Sequence, residues 1–375
     1  MKIDRLIRKQ LISDLEQGNK VVLLYGPRQA GKTTLSKQII RDTGMKAMMV
    51  NADQLKYIDV LSSRDLGKLQ GLTAGYDLLF VDEGQRIPDI GINLKILHDE
   101  TPGLKILVTG STSFLLSGRV SESLAGRKKI HTLLPVSMKE LAGHYTPFEL
   151  NDQLEERLVY GSYPEVITTP NNAEKEEYLR DVASSFLYKD ILELEFIKYP
   201  HKMRDLLRLL AYQAGSQVSL HELGLALGLN RETVERYLFL LEQSFIIFGL
   251  PAFSRNPRKE ISKSRKFYFY DTGIRNILID DLKSLANRND TGALWENFII
   301  SERRKHLLFN RVKAGSYFWK TYSGTEIDYI EEVNGNLFAY ELKAGRQRTK
   351  VPASWSAGYG TEFKTINRDN YLEFI

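Results

Sequence analysis

Residues 26–33 read Gly26-Pro27-Arg28-Gln29-Ala30-Gly31-Lys32-Thr33, and Thr34 follows. Two glycines, a lysine and a hydroxyl at this spacing can wrap an anion. The glycines let the backbone close in so that its N–H groups face phosphate oxygens. The loop follows the apolar run KVVLLY and opens the helical pattern TTLSKQII, so a helix N-terminus adds its dipole to the cradle. Lys32 then reaches the β- and γ-phosphates, and the Thr33 hydroxyl ligates Mg²⁺. The expected ligand is ATP, held along residues 26–34.

A second set of chemical groups lies fifty residues on. Asp77-Leu-Leu-Phe-Val-Asp82-Glu83 is an apolar strand ending in two acids. The C-terminal ends of buried parallel strands line the ligand crevice. Asp82 is placed to hold Mg²⁺ and Glu83 to orient and deprotonate the attacking water. Lys105-Ile-Leu-Val-Thr109-Gly-Ser111 ends in hydroxyls that either sense the γ-phosphate or cap a helix. Charge developing at the phosphate calls for an arginine, often a neighbour's. Arg28, Arg119 and Arg127 are the candidates; Arg127 is preferred over a plain surface role.

A third constellation sits near the C-terminus. Glu341 and Lys343 are two apart on a predicted strand and so share a face. Asp328 belongs to the preceding strand of the same hairpin, and Glu296 to the helix before it. Carboxylates converging beside a lysine can hold a second Mg²⁺ or Mn²⁺ and hydrolyse a phosphodiester. The run Lys343–Lys350 is basic and suits a nucleic-acid backbone.

Composition narrows the classes. The 375 residues are 42% hydrophobic and 26% charged, which suits a globular chain of several domains. There is no cysteine, which excludes disulfides, thiolate zinc sites and a thiol nucleophile. The six histidines are scattered without an HExxH pair, so any metal must be held by oxygen. No apolar run reaches the roughly 18 residues of a membrane span, and the N-terminus reads as an amphipathic helix. The expectation is a cytoplasmic protein without a membrane partner. Net charge is +5, yet residues 251–270 alone hold six bases against one acid.

The elements that must position these groups follow from periodicity. Up to residue 145, Val21–Tyr25, Ala47–Val50, Leu78–Val81, Ile106–Val108 and Ile130–Val136 read as strands alternating with helices, the pattern of a parallel α/β sheet. Residues 146–200 read as an acidic helical connector. Residues 201–275 hold three helical patterns, then β runs at Phe245–Leu250 and Lys266–Tyr270. Within them Ser219 and Asn230 cap consecutive helices, the helix-turn-helix pattern. Arg231 and Arg236 lie on its second helix beside Glu232 and Glu235. Arg255, Arg258, Lys259, Lys263 and Arg265 lie in or beside the basic loop that would form a wing. This arrangement either grips nucleic acid, DNA before RNA, or docks a protein. Residues 276–375 read as a helix (Leu294–Leu308), then strands at Tyr317–Tyr322, Ile327–Val333 and Leu337–Lys343. Asn334-Gly335 turns the last pair into a hairpin.

The motifs GPRQAGKTTL, FVDEGQ, VTGSTSFLL, SLAGR (123–127) and LPVSMKEL (134–141) together resemble one prokaryotic family, AAA-type P-loop ATPases fused to a C-terminal domain of unknown function. GSYPEV (161–166), YKDI (188–191), FYDTG (269–273), WENF (295–298) and ELK (341–343) extend the resemblance over nearly the whole chain. It implies a P-loop NTPase core, a winged helix and a restriction-endonuclease-like C-terminal domain, whose D-(x12)-E-x-K signature is matched by Asp328, Glu341 and Lys343. It also implies that Arg127 occupies a recurrent position. The resulting expectation is an ATP-hydrolysing switch whose subunits associate and whose C-terminal part engages nucleic acid, with or without cutting it; the alternative is a protein-docking module with an inactive nuclease fold.

Overall fold

The apolar runs of the first part become one five-stranded sheet: β1 (Val21–Tyr25), β2 (Ala47–Asn51), β3 (Leu78–Asp82), β4 (Lys105–Gly110) and β5 (Lys128–Thr132). A computed structural model describes residues 3–110, 121–185, 197–254, 265–347, 349–360 and 362–375. The sheet order is β2-β3-β4-β1-β5 and every pairing is parallel. Successive strand side chains point to opposite faces. Val21, Leu23 and Tyr25 therefore join one apolar cluster while Val22 and Leu24 join another. Both faces are covered, which is why β1 reads as an unbroken apolar run. The helix Arg8–Glu16 buries Leu11 and Leu15 against the second cluster.

One strand lies elsewhere than the expected Ile130–Val136. β5 pairs with β1 from Lys128 to Thr132. Leu133 still donates to the Tyr25 carbonyl at 2.7 Å, but Pro135 has no N–H to continue the ladder. The apolar residues 133–136 are buried as an irregular segment rather than as strand.

The chain divides into two compact units, Lys2–Leu134 with Gln243–Phe245, and Pro135–Glu242 with Ile246–Ile375. The second unit contains the helices Pro200–Tyr212, Leu220–Leu227 and Arg231–Gln243. Ser219 accepts from the Glu222 N–H at 3.3 Å and Asn230 from that of Thr233 at 2.8 Å, so each cap sits where the sequence places it. Beside these helices lies an antiparallel sheet in the order β6-β8-β7, with β6 (Gln217–Val218), β7 (Ile247–Pro251) and β8 (Arg265–Phe269).

The helix Thr291–Phe309 then precedes a four-stranded mixed sheet of order β12-β11-β10-β9. Its strands are β9 (Gly315–Lys320), β10 (Glu326–Val333), β11 (Asn336–Leu342) and β12 (Glu362–Ile366). Asn334 and Gly335 have φ of 52° and 81°, the left-handed pair a tight hairpin requires. β12 runs parallel to β11. A parallel bridge between Ala252 and Phe318 links the end of β7 to β9. Among the described residues no helix is long and apolar enough to cross a membrane.

Candidate functional site

The loop 26–34 leaves the C-terminal end of β1 and enters the helix Lys32–Thr43. Gly26 (φ 150°) and Gly31 (φ 95°) take backbone angles that favour glycine. A Cβ on Gly26 would stand 2.0 Å from the Leu133 carbonyl oxygen, so no other residue fits. Gln29 also adopts positive φ, at 58°. Lys32 is buried, and its ammonium donates to the carbonyls of Gly26 (2.9 Å) and Pro27 (2.8 Å). Gly31 is the N-cap and supplies no side-chain acceptor of its own to the first-turn amides.

Asp82 ends β3 opposite this loop. The Thr33 hydroxyl donates to its two carboxylate oxygens at 3.0 and 2.9 Å, and the Thr109 hydroxyl, at the end of β4, donates to one of them at 2.5 Å. Thr109 is fully buried and also accepts from the Glu83 N–H at 3.2 Å. Glu83 sits at φ 56°, a left-handed conformation costing about 1 kcal/mol for a non-glycine residue, and its carboxylate accepts from Gln85 at 2.5 Å. Three parallel strands thus bring Lys32, Thr33, Asp82, Glu83 and Thr109 to one edge. A hydroxyl and a carboxylate in contact, beside an ammonium and a helix N-terminus, suit a triphosphate with a hard divalent cation.

Arg5 is a participant that the sequence reading missed. Its buried guanidinium donates to the carbonyls of Ala30 (2.8 Å) and Leu134 (2.5 Å), holding the loop against the segment after β5. Nothing local marks an arginine three positions before the helix Arg8–Glu16 as a clamp.

Arg127 stands elsewhere. It immediately precedes β5, whose Lys128 pairs with Val21 at the opposite end of β1 from the loop. At about 3.3 Å per residue that is roughly 15 Å along the sheet. Its guanidinium donates to Asp99 at 2.7 Å and to the Ala125 carbonyl at 3.4 Å. Ser111 and Arg119 lie outside the described residues, as do Arg255, Arg258, Lys259 and Lys263. Arg265 begins β8, 3.9 Å from Glu242, and Arg231 is exposed and paired with Glu235 at 3.0 Å. Arg236 belongs to the same helix as Arg231.

The structure does gather Glu296, Asp328, Glu341 and Lys343, but around a residue the sequence reading left out. Lys266, 2% exposed on β8, places its ammonium 3.1 Å from Glu296 and 2.5 Å from Glu326. Tyr268, two residues on, donates to Glu296 at 2.6 Å, and Lys320 reaches Glu326 at 2.9 Å. Asp328 lies at an irregularity in the β9–β10 register and accepts from the Leu342 N–H at 2.8 Å. Lys343 donates to Glu341 at 2.6 Å. Burial raises the Glu296 carboxyl to about 7, with Lys266 opposing the rise and Asp328 adding to it. Burial also raises Asp328 and Glu341, each of which repels a neighbouring carboxylate. Burial works against the Lys266 charge, but Glu296 and Glu326 outweigh it and hold the ammonium above its ordinary range. Among the described residues no group of three acidic or histidine side chains is arranged to hold a metal ion. Lys266 stands against one of the three expected carboxylate ligands, Glu296, and against Glu326, which the sequence reading did not include. The available signal was a lone Lys266 in the aromatic run of β8, alternating with Tyr268.

Several motifs behind the resemblance serve packing. Gly161 (φ 77°) abuts Asp271, whose carboxylate accepts from the N–H groups of Ser162 (2.7 Å) and Ile274 (3.2 Å). GSYPEV and FYDTG are thereby two halves of one buried contact. Asn297 of WENF exchanges two hydrogen bonds with the backbone of Phe269, at 2.8 and 2.9 Å. In LPVSMKEL, the Met138 N–H donates to Glu302 at 2.7 Å and the Val136 carbonyl accepts from Lys305 at 3.2 Å.

Comparison with known proteins fits this organisation. Residues 18–142 match an AAA domain, residues 151–285 a domain of unknown function (DUF8612), and residues 291–356 another domain of unknown function (DUF4143). An uncharacterized protein of Mycobacterium tuberculosis is 32% identical over 338 residues, covering 89% of this chain and 71% of that protein. The chain belongs to this AAA-domain family. An uncharacterized family protein from Methanocaldococcus jannaschii is 26% identical over 374 residues, covering 94% of this chain and 80% of its own. Among solved structures, the Walker-type ATPase of Pyrococcus abyssi aligns at TM-score 0.51 and 17% identity, over 74% of this chain and 96% of that one. That likeness concerns the fold: a P-loop α/β sheet followed by helical and small mixed-sheet parts. The lysine-centred cluster spans both domains of unknown function, since Lys266 and Tyr268 fall in the first and Glu296, Glu326, Asp328, Glu341 and Lys343 in the second.

Proposed function

We propose that this AAA-domain protein is an ATP-hydrolysing switch. The observation that carries the reading is the hydrogen-bonded chain Thr33–Asp82–Thr109–Glu83 beside Lys32, built at the ends of three parallel strands. In this reading, residues 26–34 hold the phosphates and Lys32 leaves its loop carbonyls for the β/γ oxygens. Thr33 and Asp82 hold Mg²⁺, directly or through water, and Thr109 reports on the γ-phosphate end. Glu83 orients the attacking water and takes its proton. Mg²⁺ supplies charge neutralisation on the phosphate oxygens. Arg127, bound to Asp99 at the end of the sheet away from its own loop, serves a neighbouring subunit's phosphate, so the protein acts as a homo-oligomer. Lys32→Ala is expected to abolish ATP turnover and weaken nucleotide binding. Glu83→Gln should keep binding but lose about 100-fold or more in turnover. Steady-state phosphate release and nucleotide titration check both, and unchanged turnover in Lys32→Ala removes the proposal.

The same reading divides the second unit into a connector (146–200), a winged helix-turn-helix part (201–275) and a nuclease-like part (276–375). It assigns nucleic-acid engagement, DNA before RNA, to Arg231, Arg236 and the basic loop with Arg255, Arg258, Lys259, Lys263 and Arg265. Support comes from the capped helix pair, the hairpin β7–β8 and the local charge excess. Affinity for a DNA duplex should fall about tenfold or more between 50 and 200 mM salt, because phosphate contacts release counterions. A filter-binding titration measures this, and no binding at low salt favours the protein-docking reading. Lys266 between Glu296 and Glu326 favours engagement without cleavage over a working metal-dependent nuclease.

A further inference from the structure

Ala30 stands beside Gly31 in the phosphate loop and is fully buried. A loop that turns N–H groups inward to an anion turns carbonyls outward, and a buried carbonyl needs a donor. Arg5 supplies one: two nitrogens of its planar guanidinium donate to the carbonyls of Ala30 and Leu134, at 2.8 and 2.5 Å. Arg5 is itself fixed from behind. Its carbonyl accepts from the Arg8 N–H at 3.0 Å, and Ile7, Leu11 and Leu15 share one apolar cluster with Leu35, Ile39 and Leu133.

The segment after β5 meets the loop at two further points. Leu133 donates to the Tyr25 carbonyl at 2.7 Å, and its own carbonyl oxygen would stand 2.0 Å from a Cβ on Gly26. Both points lie where β1 ends, and the sheet already fixes them. Arg5 reaches further along the loop, to the residue before the N-cap of the helix Lys32–Thr43. Its other carbonyl, that of Leu134, is where the chain leaves the unit Lys2–Leu134. Just beyond, the Val136 carbonyl accepts from Lys305 and the Met138 N–H donates to Glu302.

We propose, resting on the ATP reading of this site, that Arg5 is a positioning residue for the phosphate loop and the tie by which nucleotide occupancy reaches residues 133–138. Lys32 exchanges its loop carbonyls for phosphate when nucleotide enters, whereas Arg5 holds a carbonyl and keeps it. A loop drawn onto a phosphate therefore draws Leu134 with it, and by reciprocity a loosened segment weakens nucleotide binding. Lysine does not replace Arg5, because one ammonium lacks the rigid two-pronged shape.

The experiment uses the full-length chain. Hydrogen–deuterium exchange is followed over 26–34 and 133–138 with and without Mg²⁺ and a non-hydrolysable ATP analogue, and steady-state ATP turnover is measured alongside. In wild type, nucleotide should slow exchange in both stretches. In Arg5→Met, saturating nucleotide should still slow 26–34 but leave 133–138 unchanged. Its KM for ATP should rise about tenfold, with kcat within about threefold of wild type. A protein that merely unfolds more readily loses kcat at unchanged KM instead. An unchanged KM, or a wild-type response at 133–138 in the variant, overturns the proposal. So does a wild type whose 133–138 ignores nucleotide while 26–34 responds. Should Arg5→Met fail to fold, Arg5→Lys decides by the same two readouts. A wild type with no response in either stretch and no turnover brings down the ATP reading, and this inference with it.

Discussion

At the scale of single residues, hydrogen-bond direction explains most of what each site can do. Thr109 donates to Asp82 and accepts from the Glu83 backbone, so one buried hydroxyl orients both acids. Glu296 illustrates the opposite effect, a charge displaced by its surroundings. Its pKa of about 7, against an ordinary 4.5, means the folded protein keeps a proton that the unfolded chain releases. Stability contributed by that proton is complete below pH 4.5, falls as pH rises from 4.5 towards 7, and is absent above. Wild type should therefore lose a few kcal/mol more than Glu296→Gln across that window, as followed by urea denaturation at stepped pH. Equal losses would show that Glu296 ionises normally. Thr33, Asp82, Glu83 and Thr109 were legible because each stands in a short motif at the end or start of an apolar strand or helix pattern, and the sheet brings them together. Lys266 was not, because its partners lie thirty and sixty residues away and only tertiary packing brings a strand lysine to them.

At the scale of elements, alternation and capping carried the reading. The apolar strands β1, β3 and β4, the helix caps at Ser219 and Asn230 and the hairpin at Asn334-Gly335 all stand within a residue or two of the expected places. β5 was misjudged because an apolar run continues past the proline that ends its ladder. β12, EFKTI, was not anticipated, since its side chains alternate between exposed and half-buried at the sheet's edge and give no apolar signal. Glycines test how firmly the elements fit. A Cβ on Gly161 would stand 2.0 Å from the Asp271 carboxylate at a φ of 77°, whereas one on Gly71, in the helix Leu66–Thr73, meets nothing within 4 Å. Gly161→Ala should cost about 3 kcal/mol or more, while Gly71→Ala should gain about 0.5–1 kcal/mol. Thermal melting of each variant checks the sign, and a neutral Gly161→Ala would mean that Asp271 has room to move.

At the scale of the whole molecule, the position of Arg127 turns a residue into a statement about assembly. It is held by Asp99 at the end of its sheet away from the loop, and in the proposed switch it serves a phosphate on another subunit. Arg127→Ala and Lys32→Ala should each be inactive alone. Mixing them should restore part of the turnover, because a subunit with an intact loop then meets a neighbour with an intact arginine. Mixtures no more active than their parts would assign Arg127 to structure. The segment after β5 has a consequence of its own. Val136 and Met138 hand their backbone groups to Lys305 and Glu302, two positions three apart on a rigid helix. The stretch Val136–Met138 is therefore pinned twice to one helix: a residue inserted or deleted between those two positions would pull one anchorage out of register, whereas the same change at the tip of an exposed hairpin would pass unnoticed.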